Sequence, residues 1–197
     1  MLPRRLVEVA RLLARGLFMA VLLAAAIFGV GAKAHSRRGC PNANTRVGKI
    51  SRQATKEAVV CLINDQRTAR RLPRLRESPL LDRSAQVWTD TMVASGSFSH
   101  GSDFGARISA TGFKWRSAGE NIATGYATPQ AVVRAWMASA DHCRNILNPT
   151  YSSVGTGVLP RVTGVRGRGA TWTQDFALAA KRRSPSGNSG PASRCPY

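Results

Sequence analysis

The apolar positions of this chain change their period as it proceeds. From Ala54 onward Ala58, Cys61, Leu62 and Asp65 recur at helical spacing, and Val59 and Ile63 widen the apolar face. Thr55 is a suitable N-cap. The helix is expected to stop near Arg71, because Pro73 disfavours the helical conformation in the residue before it. Ser78-Pro79 opens a second helix as cap and first helical residue, with Leu81, Ala85, Trp88 and Met92 on one face and Gly96 closing it. Asp103 caps a short helix carrying Phe104 and Ile108, ended by Gly112. Thr128-Pro129 repeats the start signal. Val132, Val133 and Trp136 form the inner side of a helix running to about Ala140, with His142 just after it or in a last distorted turn.

Strand signals are fewer. Phe113-Lys114-Trp115 suits a short edge strand. Residues 153–159 form a short strand, and residues 170–178 alternate Trp172, Gln174, Phe176 and Leu178 against Thr171, Thr173, Asp175 and Ala177. The Gly- and Arg-rich residues 161–169 between them read as an exposed hairpin loop. Helices first and an antiparallel hairpin last predict an α+β layered domain over residues 54–178.

The flanks differ in kind. Residues 35–53 are polar and basic, without periodicity, and read as a linker or loose arm. Residues 179–197 read as a basic Ser/Pro/Gly-rich tail. At the start, Arg4, Arg5, Arg11 and Arg15 precede an apolar run from Leu17 to Val30, and Ala32-Lys33-Ala34 has the form of a cleavage site. This predicts a signal peptide over 1–34, cleaved after Ala34, and a secreted protein. The alternative is an uncleaved anchor, for which the run is short of the roughly 20 apolar residues of a span.

The 197 residues suffice for one domain with a real core, expected as a monomer. The formal charge is +19, from 29 Lys+Arg against 10 Asp+Glu, and removal of 1–34 leaves 24 against 9. Such a charge attracts anionic surfaces through Arg-rich patches and does not determine a fold. Nucleic acid, anionic lipid and cell-wall polymer all fit it, and in an exported chain nucleic acid is not the expected partner. The arginines around Arg67, Arg70 and Arg71 read as a solvated helix end rather than an anion site.

The four cysteines, an even number in an exported chain, suggest disulfides. Three pairings exist. The economical one joins core to core, Cys61–Cys143, and tail to tail, Cys40–Cys195.

Chemistry gathers in residues 99–147. Ser99-His100, Gly119-Glu120-Asn121-Ile122-Ala123 and the stretch from Trp136 to Cys143 hold two of the three histidines, with the carboxylate of Glu120 lying between those two in a short polar run. His100, Glu120 and His142 could hold a divalent cation such as zinc, with water completing the shell. They could act as acid and base in a hydrolysis. They could also line a polar cleft that receives a ligand. Ser139 and His142, three apart, form a conceivable nucleophile pair, but no orienting acid or G-x-S-x-G turn accompanies them. Asp141 could serve as a second acid, although adjacent helical side chains point apart. Of the four tryptophans, burial is expected for Trp88, Trp136 and Trp172, and Trp115 is expected at the cleft rim.

Taken in order, Asn64-x-x-Arg67, Leu75, Leu80, Ala85, Ser99-His100, Gly119-Glu120-Asn121-Ile122-Ala123, Trp136-x-x-Ser139-x-x-His142-x-x-Asn145-Ile146-Leu147, Gly155-x-Gly157 and Trp172-x-Gln174-x-Phe176 closely resemble the CAP superfamily. These are the cysteine-rich secretory, antigen 5 and pathogenesis-related proteins, also called the SCP domain, and the likeness is to the bacterial secreted branch. It covers about residues 57–178. The resemblance implies an α-β-α sandwich with a small antiparallel sheet and an open cleft. His100 would be the first cleft histidine, Glu120 the first cleft acid, and Asn121 their neighbour. Ser139 stands where animal and plant members carry a Glu, Thr171 stands where they carry the second histidine, and His142 supplies that histidine from another element. The resemblance further implies binding of a ligand, whether a lipid or sterol-like molecule, a cell-wall fragment or a partner protein, and no one shared reaction.

Overall fold

The computed structural model describes residues 39–163 and 169–182, together with Cys195. The expected signal segment 1–34, the tip of the 161–169 loop and nearly all of the tail lie outside the described residues. Five helices are described: α1 (Arg52–Thr68), α2 (Pro79–Ser95), α3 (Phe104–Ala110), α4 (Pro129–Met137) and α5 (Ala140–Ile146). The strands are β1 (Arg76–Glu77), β2 (Trp115–Tyr126), β3 (Ser153–Leu159) and β4 (Ala170–Ala179). They form one sheet in the order β1-β3-β4-β2. The expected hairpin of β3 and β4 is antiparallel, as is β2 with β4, but the two residues of β1 run parallel to β3, so the sheet is mixed.

Helix starts follow their capping chemistry. The Ser78, Asp103 and Thr128 side chains accept from the amides of Leu81, Ala106 and Ala131. Gly96 closes α2 with φ of 69°. α1 starts earlier than expected: Ser51 is its cap, at 3.0 Å from the Ala54 amide, and Thr55 bonds back to the Ser51 carbonyl from inside the helix. α4 is shorter than expected. It stops at Met137, and His142 belongs to a separate short helix, α5.

The layers follow strand periodicity. Trp172 and Phe176 of β4, with Val154 and Val158 of β3, bury one face against Val59, Ile63, Val132, Trp136, Cys143 and Ile146 of α1, α4 and α5. Fully burying each such large side chain is worth about 1.5–3 kcal/mol. The opposite face receives α2 at very short range. A Cβ at Gly155 would lie 2.1 Å from the Leu81 carbonyl carbon, and one at Gly157 would lie 2.2 Å from the Ala85 oxygen. Only glycine at both positions lets the helix backbone rest on the strand.

β2 begins only at Trp115, where the expected Phe113–Trp115 strand ends, and runs on to Tyr126. Its residues Gly119 to Asn121 are too polar and small to read as a strand alone, and they are held by neighbours. β4 pairs along one side, and on the outer edge Asn145 Nδ2 donates to the Glu120 carbonyl (3.1 Å) and Trp136 Nε1 to the Ile122 carbonyl (3.3 Å). Those two side chains satisfy edge groups that would otherwise offer a template for another strand.

Arg67 is not a solvated helix-end cation. It is fully buried, and its guanidinium donates to the carbonyls of Pro73, Ile146 and Asn148 at 2.8 Å and of Tyr151 at 3.4 Å. Burial lowers its pKa to about 10, so it stays charged at neutral pH. Asn64, one turn earlier, brackets Leu75, donating to its carbonyl at 3.0 Å and accepting from its amide at 2.7 Å.

The disulfides correct the expected pairing. The bonds are Cys40–Cys61 and Cys143–Cys195, not Cys61–Cys143 and Cys40–Cys195. The reason lies in residues 39–51, which are not a loose linker. Cys40, Ala43 and Val47 pack on the core, Val47 N–H donates to Ala127 O, and Gln130 N–H donates to Ala43 O. That places Cys40 beside α1, and Cys143, buried on α5, takes Cys195. Closing loops of 21 and 52 residues stabilises by about 3–4 kcal/mol each in the chain-entropy account.

Candidate functional site

The His100–Glu120 pair is built from three elements. The loop after α2 brings His100, β2 brings Glu120 and α3 brings Arg107. Glu120 has a fully buried side chain, with Oε1 2.8 Å from His100 Nδ1 and Oε2 2.5 Å from Arg107. The His100 side chain remains 50% exposed. An ionised carboxylate only accepts, so Nδ1 carries the proton and Nε2 of the neutral ring is left as an acceptor.

Trp88 supports this corner. Its indole N–H donates to the Ser99 carbonyl at 3.0 Å, Arg107 stacks 4.0 Å from its ring centroid, and Arg107 also donates to the His100 carbonyl at 3.0 Å. The loop passes over the indole at Gly101, where φ is 70° and a Cβ would lie 2.7 Å from the ring. Trp88 is therefore half-buried beside the His100–Glu120 pair rather than in the core. Trp115, expected at the rim, instead packs with Phe104, Phe113 and Ala118 beside Leu81 and Ile108, with its indole N–H on Ser109.

His142 lies on α5 across the edge of β2. With Ser139, Phe98, Ile122, Thr124, Tyr126 and Trp136 it lines a cavity of about 270 Å³. Its pKa is lowered, first by burial and then by the charge of His100, against an opposing pull from Asp141. The two rings thus sense one another. Among the described residues, however, His100, Glu120 and His142 are not a group offering ligand atoms within 4.8 Å of one another. The expected metal set does not assemble, and Glu120 is already taken by Arg107 and His100.

The other expected residues fall as follows. Asn121 is fully buried and structural: its Nδ2 donates to the His142 carbonyl, and its Oδ1 accepts from Asn145. Ser139 occupies the N-cap position of α5 without a side-chain capping bond. Asp141 is exposed and pairs with Arg144 at 2.9 Å.

Three contributors had escaped the sequence reading. Trp88 reads as a core residue and Arg107 stands out in no pattern, and only the fold brings them to the Glu120 corner. Asp175 had a signal: a carboxylate in a strand whose other positions are apolar or neutral. It stands directly opposite Glu120 in the β2–β4 register and is fully buried. Its pKa is raised to about 8, first by burial and next by Glu120.

A second, larger groove of about 540 Å³ runs along α4, lined by Leu62, Gln66, Gln130, Val133, Arg134 and Met137 among others. It shares Tyr126 and Ala135 with the His142 cavity, so the two adjoin at those residues.

Comparison with known proteins bears on these observations. Residues 60–176 match the cysteine-rich secretory protein family, CAP. A Bacillus subtilis protein, YkwD, is 36% identical over 128 residues, covering 62% of this chain and 47% of its own. The chain thus spans about half the length of that curated relative. Among solved structures, an extracellular SCP-domain protein from Bacillus anthracis aligns with a TM-score of 0.55 at 24% identity, over 65% of this chain and 44% of the other. An outer surface protein from Borrelia burgdorferi aligns with a TM-score of 0.59 at 18% identity, over 66% and 96%. These structural likenesses speak to the fold alone.

Proposed function

This chain belongs to the cysteine-rich secretory protein family, CAP, and on that premise we propose that it is an exported binding protein whose cleft receives an elongated, mainly apolar ligand of the lipid class. The observation that carries this is the adjacency of the two cavities, which share Tyr126 and Ala135 as wall residues. An apolar body would lie along α4, with a polar head at Ser139 and His142 in the adjoining cavity. The extracellular and outer-surface neighbours support a place outside the cytoplasm, reached after removal of residues 1–34. The basic surface would bring the chain to anionic envelope polymers or lipid headgroups in a salt-sensitive way.

One observation favours a second reading, acid–base hydrolysis: the short His100–Glu120 contact. Glu120 is buried and engaged on both oxygens, so it orients His100 and does not itself reach a substrate.

A fluorescent long-chain fatty acid titrated into the exported protein tests the leading reading. It should bind and be displaced by unlabelled lipid, and Ala135→Trp, which adds bulk at a wall common to both cavities, should lower affinity at least about tenfold, or about 1.4 kcal/mol. Equal binding by the folded variant would overturn the assignment. Binding of a cell-wall fragment or a partner protein in place of lipid would redirect it.

A further inference from the structure

Asp175 lies in the middle of β4, the central strand, where both sheet faces are covered. Its strand neighbours Gln174 and Phe176 point to the opposite face. It is 0% exposed, and neither carboxylate oxygen has a hydrogen-bond partner among the described residues. On β2 its register partner is Glu120, and on β3 it is Gly155. Such cross-strand pairs bring the two Cβ atoms to about 4.5–5.5 Å on one face.

The surroundings do not provide a counter-charge for a second carboxylate. Arg107 from α3 is bound to Glu120 Oε2, and His100 from the preceding loop is bound to Oε1. From α2, Ser84 offers only a hydroxyl, and Asp82 is another acid, held by the Thr156 amide and Lys56. Gly155 of β3 offers no side chain. Two ionised, buried carboxylates sharing one guanidinium are strongly disfavoured. A proton on Asp175 removes the second charge. It also turns an acceptor without a donor into a donor facing an acceptor, Glu120.

We propose that Asp175 and Glu120 form a proton-sharing carboxyl pair beneath the cleft, with Asp175 holding the proton and Glu120 the charge. Asp175 is thereby a positioning residue. It keeps Glu120 ionised, so that Glu120 accepts from His100 Nδ1 and leaves Nε2 as an acceptor for a hydroxyl or ammonium group of a ligand. The raised pKa agrees with this arrangement: burial and Glu120 push it up, while Ser84 and Arg107 pull it down. When Asp175 ionises, its proton leaves for solvent. This pairing is independent of which ligand the cleft takes.

The test is a carboxyl-carbon NMR titration of the exported, oxidised protein labelled at Asp and Glu, from about pH 5 to about pH 9. The expected result is one aspartate protonated at neutral pH with a midpoint near 8, and one glutamate inflecting at the same midpoint, as coupled sites do. Asp175→Asn should remove both inflections, and Glu120→Gln should lower the aspartate midpoint. An Asp175 signal already ionised at neutral pH would overturn the proposal, as would an aspartate midpoint without a matching glutamate inflection. Both readings come from the unmodified protein, so a variant that failed to fold would not rescue the idea.

Discussion

Two buried charges in this molecule are handled in opposite ways. Arg67, where α1 meets α5, is fully buried among backbone carbonyls, and no carboxylate pairs with it among the described residues. Glu120, in β2, is as deeply buried, but its oxygens go to two ionisable side chains, one of which is half in solvent. Neutral dipoles hold their geometry at any ordinary pH. Ionisable partners hold theirs only while each keeps its proton state. The first arrangement suits a scaffold and the second suits a site, because only the second can respond to a ligand or a proton.

Breaking the scaffold charge gives the largest expected effect. Arg67→Met strands the carbonyls of Pro73, Ile146 and Asn148 in the interior. The loss should approach the roughly 3–5 kcal/mol seen when one side of a buried charged network is removed. Arg67→Lys should recover little, because an ammonium lacks the planar fork that reaches carbonyls on separate segments. Urea unfolding measures this. A loss under about 1 kcal/mol would remove the distinction between the two regions.

Next in size is the disulfide that pins the same end. A Cys143→Ala, Cys195→Ala double variant removes the 52-residue loop closure and should cost somewhat less, about 3–4 kcal/mol at most. α5 carries both Cys143 and the Ile146 carbonyl that Arg67 holds, so this change and Arg67→Met should be non-additive. Strict additivity in unfolding experiments would mean that Arg67 and the disulfide support separate parts of the scaffold.

The scaffold was legible in the sequence where it rests on local chemistry. Ser78-Pro79, Asp103 and Thr128-Pro129 each start a helix where the capping signal stands, and Gly155-x-Gly157 marks the strand on which α2 rests. What failed depends on partners distant in the chain. β2 is polar through Gly119–Asn121 and becomes a strand only because β4, Asn145 and Trp136 satisfy its backbone. Arg67 read as solvated because nothing nearby in the sequence announces the carbonyls of Ile146, Asn148 and Tyr151. The cysteine pairing failed because the arm at Cys40 has no periodicity, yet it packs. At the site, the structure brings His100 and Glu120 into contact, a convergence that the sequence left open. Arg107 and Asp175 are brought in by α3 and by strand register, which spacing alone does not encode.

The site charge should show itself through pH, with a smaller effect per pH unit than either of those losses. The folded-state pKa of Asp175, about 8, lies above the ordinary aspartate value of about 3.9. Between those values the folded state holds a proton that the unfolded state has released. The stability this gives is therefore complete below about pH 4 and is lost as pH rises through about 8. The slope reaches at most about 1.4 kcal/mol per pH unit. Asp175→Asn, which cannot ionise, should flatten the profile across that window. An unchanged slope would leave the pair of carboxyls without the proton assigned to it. Arg67→Met should lower the whole profile without changing this slope, since Arg67 keeps one charge state across the window.

The smallest effect should come from the cleft histidines and should have the opposite sign. Burial and the charge of His100 hold the folded-state pKa of His142 below the ordinary value of about 6.5. In the interval between the two values the unfolded state binds more protons, so stability rises with pH there. The contribution is fully present above about 6.5 and is lost as pH falls through the folded value. His142→Asn should remove this rise. His100→Asn should shrink it without removing it, because one of its two causes disappears while burial stays. The ring is only partly buried, so solvent screening keeps the effect small. It should appear as a slight change of slope on the acid side of thermal melts. If His100→Asn leaves that slope unchanged, the two rings do not sense each other across the edge of β2. The conditional character assigned to the cleft would then rest on Glu120 and Asp175 alone.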